Sequence, residues 1–143
     1  MKMHFLVGSL VAVVLGTAGC SSDSSTSAST STTSATTTTE IPTPSVPRLV
    51  SAVRAYSSAY LGGDSHGAWA LLSQRCQMNI AEIQYRAIVA AAKVAYGSAI
   101  LESVSATTNG NQGHATYTYS DASINQQDQP WVFESGEWHY DNC

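Results

Sequence analysis

The apolar positions of residues 48–97 recur at the three- and four-residue spacing of amphipathic helices. A first helix is predicted over residues 48–61, before a glycine pair, and a second over residues 65–74, where Asp64 or Ser65 can cap the amino end. The apolar faces comprise Leu49, Val53, Tyr56 and Tyr60 in the first helix, and Ala68, Trp69 and Leu72 in the second.

A third helix is predicted between Asn79 and Gly97. The Asn79 side chain can cap the first turn while Glu82 reaches back from three residues on, and the glycine ends the helix. We expect its apolar stripe to lie in the core rather than to face a membrane. The stripe comprises Ile80, Ile83, Ala87, Ala90 and Val94.

After Gly97 the apolar period changes to two, and β-branched and aromatic residues replace alanine. The predicted strands cover residues 100–107, 114–121, 131–134 and 137–140, with turns at residues 109–113, 128–130 and 135–136. In the second strand, Ala115, Tyr117 and Tyr119 share one face. The pattern therefore predicts one α+β domain over residues 48–143, with three helices followed by a four-stranded antiparallel sheet.

Residues 1–19 have the pattern of a secretory signal segment, with Lys2 before an apolar run that is too short to span a bilayer. Thr17-Ala18-Gly19-Cys20 resembles the bacterial lipobox, in which the cysteine sulfur receives lipid before cleavage. Thr17 stands where leucine is most common. The motif predicts a lipoprotein whose Cys20 carries acyl chains such as palmitate; the alternative is ordinary cleavage after Ala18, which leaves a free thiol.

Residues 20–47 are predicted to be a flexible tether. Of the 19 residues from Ser21 to Thr39, 16 are Ser or Thr, so this stretch has no apolar face to offset its ordering entropy. Prolines at 42, 44 and 47 then favour extended geometry. Dense Ser and Thr beside proline are also typical of O-glycosylated stalks. We expect the anchor to hold the domain at the cell membrane, on its extracytoplasmic side.

Lys and Arg number 6 against 10 Asp and Glu, which gives a net charge of −4. This balance argues against nucleic acid as a partner. If lipid occupies Cys20, then Cys76 and Cys143 remain, and an oxidising compartment favours a disulfide between them. The alternative is a buried free Cys76 and a loose terminal thiol.

The closing segment, residues 130–143, and the stretches 56–64 and 68–73, which precede Cys76, resemble the nuclear-transport-factor-2-like superfamily. Within it, the likeness is to small exported actinobacterial lipoproteins of unknown function. The resemblance implies a cone in which a curved sheet wraps the helices around a cavity. The superfamily includes isomerases, dehydratases, epoxide hydrolases and non-enzymatic modules, so the fold alone assigns no chemistry.

An isomerase-like site needs a carboxylate base in an apolar cavity opposite hydroxyl donors. The candidate bases are Asp64, Glu102 and Asp121, but we expect the first to cap a helix and the other two to lie on solvated strand faces. The histidines at 66, 114 and 139 lack the spacing of a zinc site. We therefore predict no catalytic residue, metal or cofactor.

An aromatic set could line a cavity for an apolar ligand, although a filled core is the alternative. The set comprises Tyr56, Tyr60, Trp69, Tyr117, Tyr119 and Trp131. The sequence therefore favours a non-catalytic module that binds an envelope protein or other partner. The alternative is a carrier of lipids or small molecules, or an isomerase- or dehydratase-like enzyme that uses the cavity.

Overall fold

The computed structural model describes residues 42–143, so the signal segment, Cys20 and most of the tether lie outside the described residues. The order of helices followed by strands is confirmed, but the described part has four α-helices rather than three. The elements are α1 (Val46–Gly62), α2 (Ser65–Ala70), α3 (Gln74–Asn79), α4 (Glu82–Tyr96), β1 (Leu101–Asn109), β2 (Gln112–Tyr119), a 3₁₀ turn (Ala122–Ile124), β3 (Gln126–Glu134) and β4 (Glu137–Tyr140).

The predicted second helix is in fact two helices, α2 and α3, separated by residues 71–73. The separating residues pair with the end of β4: the Tyr140 backbone N–H donates to Leu71, and the Ser73 backbone N–H donates to Tyr140. The Ser73 hydroxyl then accepts from the Cys76 N–H and caps α3. Pairing with a distant strand thus interrupts a helix that local spacing alone would continue.

Helix α4 differs from its prediction at its start and in its buried face. Asn79 ends α3, and the residue before α4 is Ala81, whose N–H donates to the Gln84 side chain. The predicted stripe is wrong in its main part, because Ile83 is 71% exposed and Val94 is 89% exposed. Only Ile80 of that stripe packs against the core. The face of α4 that is buried consists of Tyr85, Val89 and Ala92.

The sheet is antiparallel in the order β1-β2-β3-β4, and one face of β2 is buried as predicted. The first turn is tighter than predicted, since Asn109 pairs with Gln112. The predicted turn at residues 128–130 lies inside β3, where Asp128 has φ +50° and the pairing with β2 is irregular. The final hairpin turns at Ser135-Gly136 as predicted, with φ +53° and +87°.

The predicted disulfide is present, with a Cα–Cα distance of 5.5 Å between Cys76 and Cys143. It joins α3, in the helical layer, to the residue that follows β4 by three positions. The core contains residues from both layers, among them Val53, Val89 and Trp131. Within residues 42–143, every helix is too short or too polar to cross a membrane.

Candidate ligand cavity

A cavity of about 580 Å³ lies between the helices and the sheet, with walls from α1, α4, β2 and the C-terminal segment. All seven tyrosines of the chain line it: Tyr56, Tyr60, Tyr85, Tyr96, Tyr117, Tyr119 and Tyr140. Its volume is within the range of about 300 to 1,000 Å³ that is usual for small-molecule sites. Side chains therefore do not completely fill this part of the domain.

The periodicity of each element explains how the tyrosines reach one space. Tyr56 and Tyr60 are one helical turn apart on α1, and Tyr85 and Tyr96 lie on the inner face of α4. Tyr117 and Tyr119 alternate on the buried face of β2, as strand geometry requires.

The exposure of the lining residues distinguishes a floor from a mouth. Tyr117 is 2% exposed and Leu72 is 4% exposed, so they belong to the floor. Ile88 is 45% exposed, and Asn142 and Cys143 are also exposed, so these residues surround the mouth. A ligand would enter between α4 and the C-terminal segment.

Four of the seven tyrosine hydroxyls are held by hydrogen bonds within the domain. The hydroxyls of Tyr56 and Tyr85 lie 3.1 Å apart, and that of Tyr119 lies 2.8 Å from the Ser57 hydroxyl. The Tyr140 hydroxyl donates to the Gln129 side chain over 2.8 Å. These bonds link α1 to α4 and α1 to β2, and they fix the shape of the cavity.

Aromatic stacking adds to the rigidity of the wall. The Tyr56 ring lies between those of Tyr60 and Tyr140, at centroid distances of 5.6 and 4.7 Å. Both interplanar angles are below 30°, as in stacked rings. The tyrosines therefore present flat, partly polar surfaces to the cavity.

Burial favours the neutral form of Tyr56, Tyr85 and Tyr117. It raises the pKa of Tyr56 and of Tyr117 well above the usual value of a tyrosine, with neighbouring phenols adding to the effect. Burial also raises the pKa of Tyr85 to about 12, although the hydrogen bond to Tyr56 acts in the opposite direction. No charged side chain of the described residues lines the cavity. Near neutral pH, the cavity therefore offers apolar surface and neutral hydrogen-bonding groups.

The C-terminal wall is held by several contacts besides the disulfide. The Arg75 guanidinium lies 3.1 Å from the Asp141 carboxylate, which also accepts from the Ser73 hydroxyl. The side-chain amide of Asn142 donates to the side-chain oxygen of Gln129, which also accepts from the Tyr140 hydroxyl. These contacts connect the last residues of the chain to α3 and β3.

Four of the six aromatic residues predicted to line a cavity do so: Tyr56, Tyr60, Tyr117 and Tyr119. Trp69 and Trp131 do not line it, which corrects the prediction for these two. The Trp69 ring packs against the Tyr85 ring at a centroid distance of 5.5 Å. The buried Trp131 ring packs edge-on against the Tyr56 ring at a centroid distance of 5.9 Å. These two tryptophan rings therefore form a second layer of aromatic side chains that supports the residues lining the cavity.

Sequence reasoning missed Tyr85, Tyr96 and Tyr140 as lining residues. A usable signal was present for the first two, since Tyr85, Val89, Ala92 and Tyr96 follow the spacing 4-3-4 along α4. The competing stripe that begins at Ile83 has the same spacing, so periodicity did not discriminate between them.

The candidate carboxylates lie outside the cavity lining. Asp64 caps α2 by accepting from the Gly67 N–H over 2.9 Å, as expected. Asp121 follows β2 rather than lying in it and caps the 3₁₀ turn, where hydrogen bonds from the Ser123 hydroxyl and N–H lower its pKa. Glu102 is exposed on β1.

The histidines are also separate from the cavity lining. His114 lies 3.1 Å from the Asp128 carboxylate on the surface of the sheet, and His66 lies on α2. In the part of the chain that the structure describes, no three His, Cys, Asp or Glu residues are grouped so that they could hold a metal ion.

Searches with this chain found no matching family model, curated protein or solved structure. The arrangement can enclose a small molecule, stack flat groups against phenol rings and form neutral hydrogen bonds. Among the described residues, no carboxylate or imidazole side chain that could act as a general base near neutral pH lines the cavity.

Proposed function

We propose that this chain is a lipoprotein of the cell envelope whose folded domain binds a small, neutral, largely apolar molecule without catalysing a reaction. The observation that carries the proposal is the cavity of about 580 Å³, lined by all seven tyrosines and by no charged side chain of the described residues. The proposed partner in the cavity is thus a small molecule, and the membrane is a partner through the lipid anchor.

The free energy of desolvation favours a ligand without charge. Moving an ionised group from water into an apolar cavity is strongly unfavourable unless an opposite charge meets it. The side chains of the described lining offer no such charge. Burial of its apolar residues, such as Leu72 and Ile80, becomes favourable when a ligand displaces water. A neutral molecule is therefore favoured over a carboxylate or an amine.

The fold proposal is a cone of the nuclear-transport-factor-2-like type. Its support is the order of helices before an antiparallel sheet, together with a cavity between the two layers. In such a cone, an isomerase or dehydratase would need a base that reaches the ligand. Asp64, Glu102 and Asp121 are placed elsewhere, which favours binding over catalysis.

The lipoprotein proposal is supported by the sequence Thr17-Ala18-Gly19-Cys20 and by the Ser/Thr-rich stretch that follows. Several acyl chains hold a protein durably at a membrane, while a single chain does so reversibly. A coil of the length of residues 20–47 reaches roughly 30 Å, so the cavity would stay accessible from water. The mass of the mature amino-terminal peptide tests this; an unmodified Cys20 would contradict the anchor.

A fluorescence titration of the full chain with phenylnaphthylamine, a neutral apolar probe, tests the cavity. Ala92→Trp places an indole in the cavity, because Ala92 is 8% exposed and lines it. The matched control is Ala90→Trp, which puts the same ring on the exposed side of the same helix. We expect the wild type and A90W to bind the probe, and A92W to bind it at least about tenfold more weakly.

A second variant covers the case in which A92W does not fold. Ile88→Trp narrows the mouth at a position that is already 45% exposed, so its effect on folding should be small. Equal probe affinity in all four proteins, with unchanged circular dichroism, would show that the probe binds elsewhere and would reject the cavity proposal.

A further inference from the structure

The hydroxyl groups at the floor of the cavity are not equivalent. The hydroxyls of Tyr56 and Tyr85 are hydrogen-bonded to each other, and the Tyr119 hydroxyl is hydrogen-bonded to that of Ser57. Tyr117 is as deeply buried, at 2% exposure, but its hydroxyl forms no hydrogen bond with another described residue. Its pKa is raised by burial and by neighbouring phenols, with no contribution from a hydrogen bond.

The Tyr117 hydroxyl reaches the cavity rather than being sealed in protein. The fully enclosed side-chain polar atoms without a partner in the described part are Trp131 Nε1, Trp138 Nε1 and His139 Nδ1. Tyr117 Oη is not among them, so it keeps accessible surface. Because the whole residue is almost completely covered and lines the cavity, that surface faces the cavity.

A purely apolar ligand that displaces water from the cavity would leave the Tyr117 hydroxyl without a hydrogen-bond partner, which is unfavourable, whereas a ligand with a hydrogen-bonding group would supply that partner. We propose that the ligand carries one uncharged oxygen group, a hydroxyl or a carbonyl, which hydrogen-bonds to Tyr117 at the floor of the cavity. This inference rests on the proposed small-molecule function and makes it specific. The apolar body of the ligand lies along α4 toward Ile88 at the mouth.

The proposed orientation agrees with the remaining polar groups of the lining. Asn142 at the mouth already donates to Gln129, and the Gln126 amide N–H donates to the Ile124 carbonyl. One N–H of each of these amides is therefore engaged within the protein. The hydroxyls of Tyr60 and Tyr96 also form no hydrogen bond with a described residue, but these side chains are only partly buried, whereas Tyr117 lies at the floor of the cavity. An oxygen group bound at the floor places the apolar part of the molecule beside Ile80 and Ile88. The class is a neutral alcohol, ketone or ester with an extended apolar portion.

The test measures displacement of phenylnaphthylamine from the full chain by three ligands of equal chain length: dodecanol, dodecanoate and dodecylamine. We expect dodecanol to bind more tightly than either charged analogue. Tyr117→Phe should weaken dodecanol about fivefold to tenfold, the usual value of one neutral hydrogen bond, once the affinity of the probe has been measured separately in each variant. The control is Tyr96→Phe, which removes a phenol hydroxyl from a partly buried position of the same cavity.

The outcomes are distinguishable. If the probe binds and Y117F binds dodecanol as well as the wild type does, or if a charged analogue binds most tightly, the inference is wrong and the cavity proposal remains. If the probe does not bind the wild-type chain, both are rejected. An equal loss in Y96F and Y117F would assign the effect to general polarity and would overturn the specific role of Tyr117.

Discussion

The inner and outer faces of α4 have the same spacing of apolar residues but opposite environments. Tyr85, Val89, Ala92 and Tyr96 follow a 4-3-4 pattern on the inner face. Ile83, Ala87, Ala90 and Val94 follow the same pattern on the outer face, where the first and last are 71% and 89% exposed. Spacing therefore predicts that a helix forms, but not which of two equivalent stripes meets the core.

Side-chain size and neighbouring rings account for the choice. The Tyr85 ring packs against the rings of Trp69 and Tyr60, at centroid distances of 5.5 and 6.3 Å. It therefore fills the space between α4 and the first two helices. An alanine in its place would leave that space empty, and an unfilled space loses dispersion contacts. Tyr85 also gains a hydrogen bond to Tyr56, which an aliphatic residue of the outer face could not form.

The largest expected effect is the loss of the disulfide that joins α3 to the C-terminal segment. Cys143→Ser opens a loop with a sequence separation of 67, and the chain-entropy model gives a loss of about 4 kcal/mol in the free energy of unfolding. Urea denaturation monitored by circular dichroism measures it. Wild-type protein with reductant should unfold at the same midpoint as C143S, and an unchanged midpoint in both would contradict the prediction.

A matched pair of substitutions compares the faces directly. Val89 is fully buried and Val94 is 89% exposed on the same helix. We expect Val89→Ala to lower the free energy of unfolding by about 2 kcal/mol, because it removes buried methyl groups and leaves a cavity. Val94→Ala should change it by less than about 0.5 kcal/mol. Similar losses in the two variants would mean that the outer face is covered in the native protein.

The smallest expected effect is a change in the ionisation of Tyr85, on the inner face of α4, and it appears only in alkaline solution. The pKa of Tyr85 is raised from 10.0 to about 12 in the folded domain, so folding favours its neutral form. Its contribution to stability is complete below pH 10 and is lost as the pH rises from about 10 through about 12. The absorbance of phenolate in wild type and Tyr85→Phe measures this ionisation. A normal ionisation of Tyr85 near pH 10 would show that α4 is loose.

The site was predictable where one strand face or one helix face was clearly the apolar one. On β2, Ala115, Tyr117 and Tyr119 alternate with polar residues, and all three are buried as predicted. On α1, Tyr56 and Tyr60 were assigned to the inner face, and both line the cavity. Tyr85 and Tyr96 were missed because α4 has two equivalent stripes. Tyr140 was missed as a lining residue because its place depends on pairing between β4 and residues 71–73.

The sequence by itself determined the order of helices before strands, the final hairpin at Ser135-Gly136 and the pairing of Cys76 with Cys143. Each of these depends on local periodicity, on turn residues or on counting cysteines. Tertiary structure alone decided the break between α2 and α3, the face of α4 that is buried and the convergence of seven tyrosines on one cavity. These features depend on contacts between residues far apart in the chain, and no local pattern contains that information.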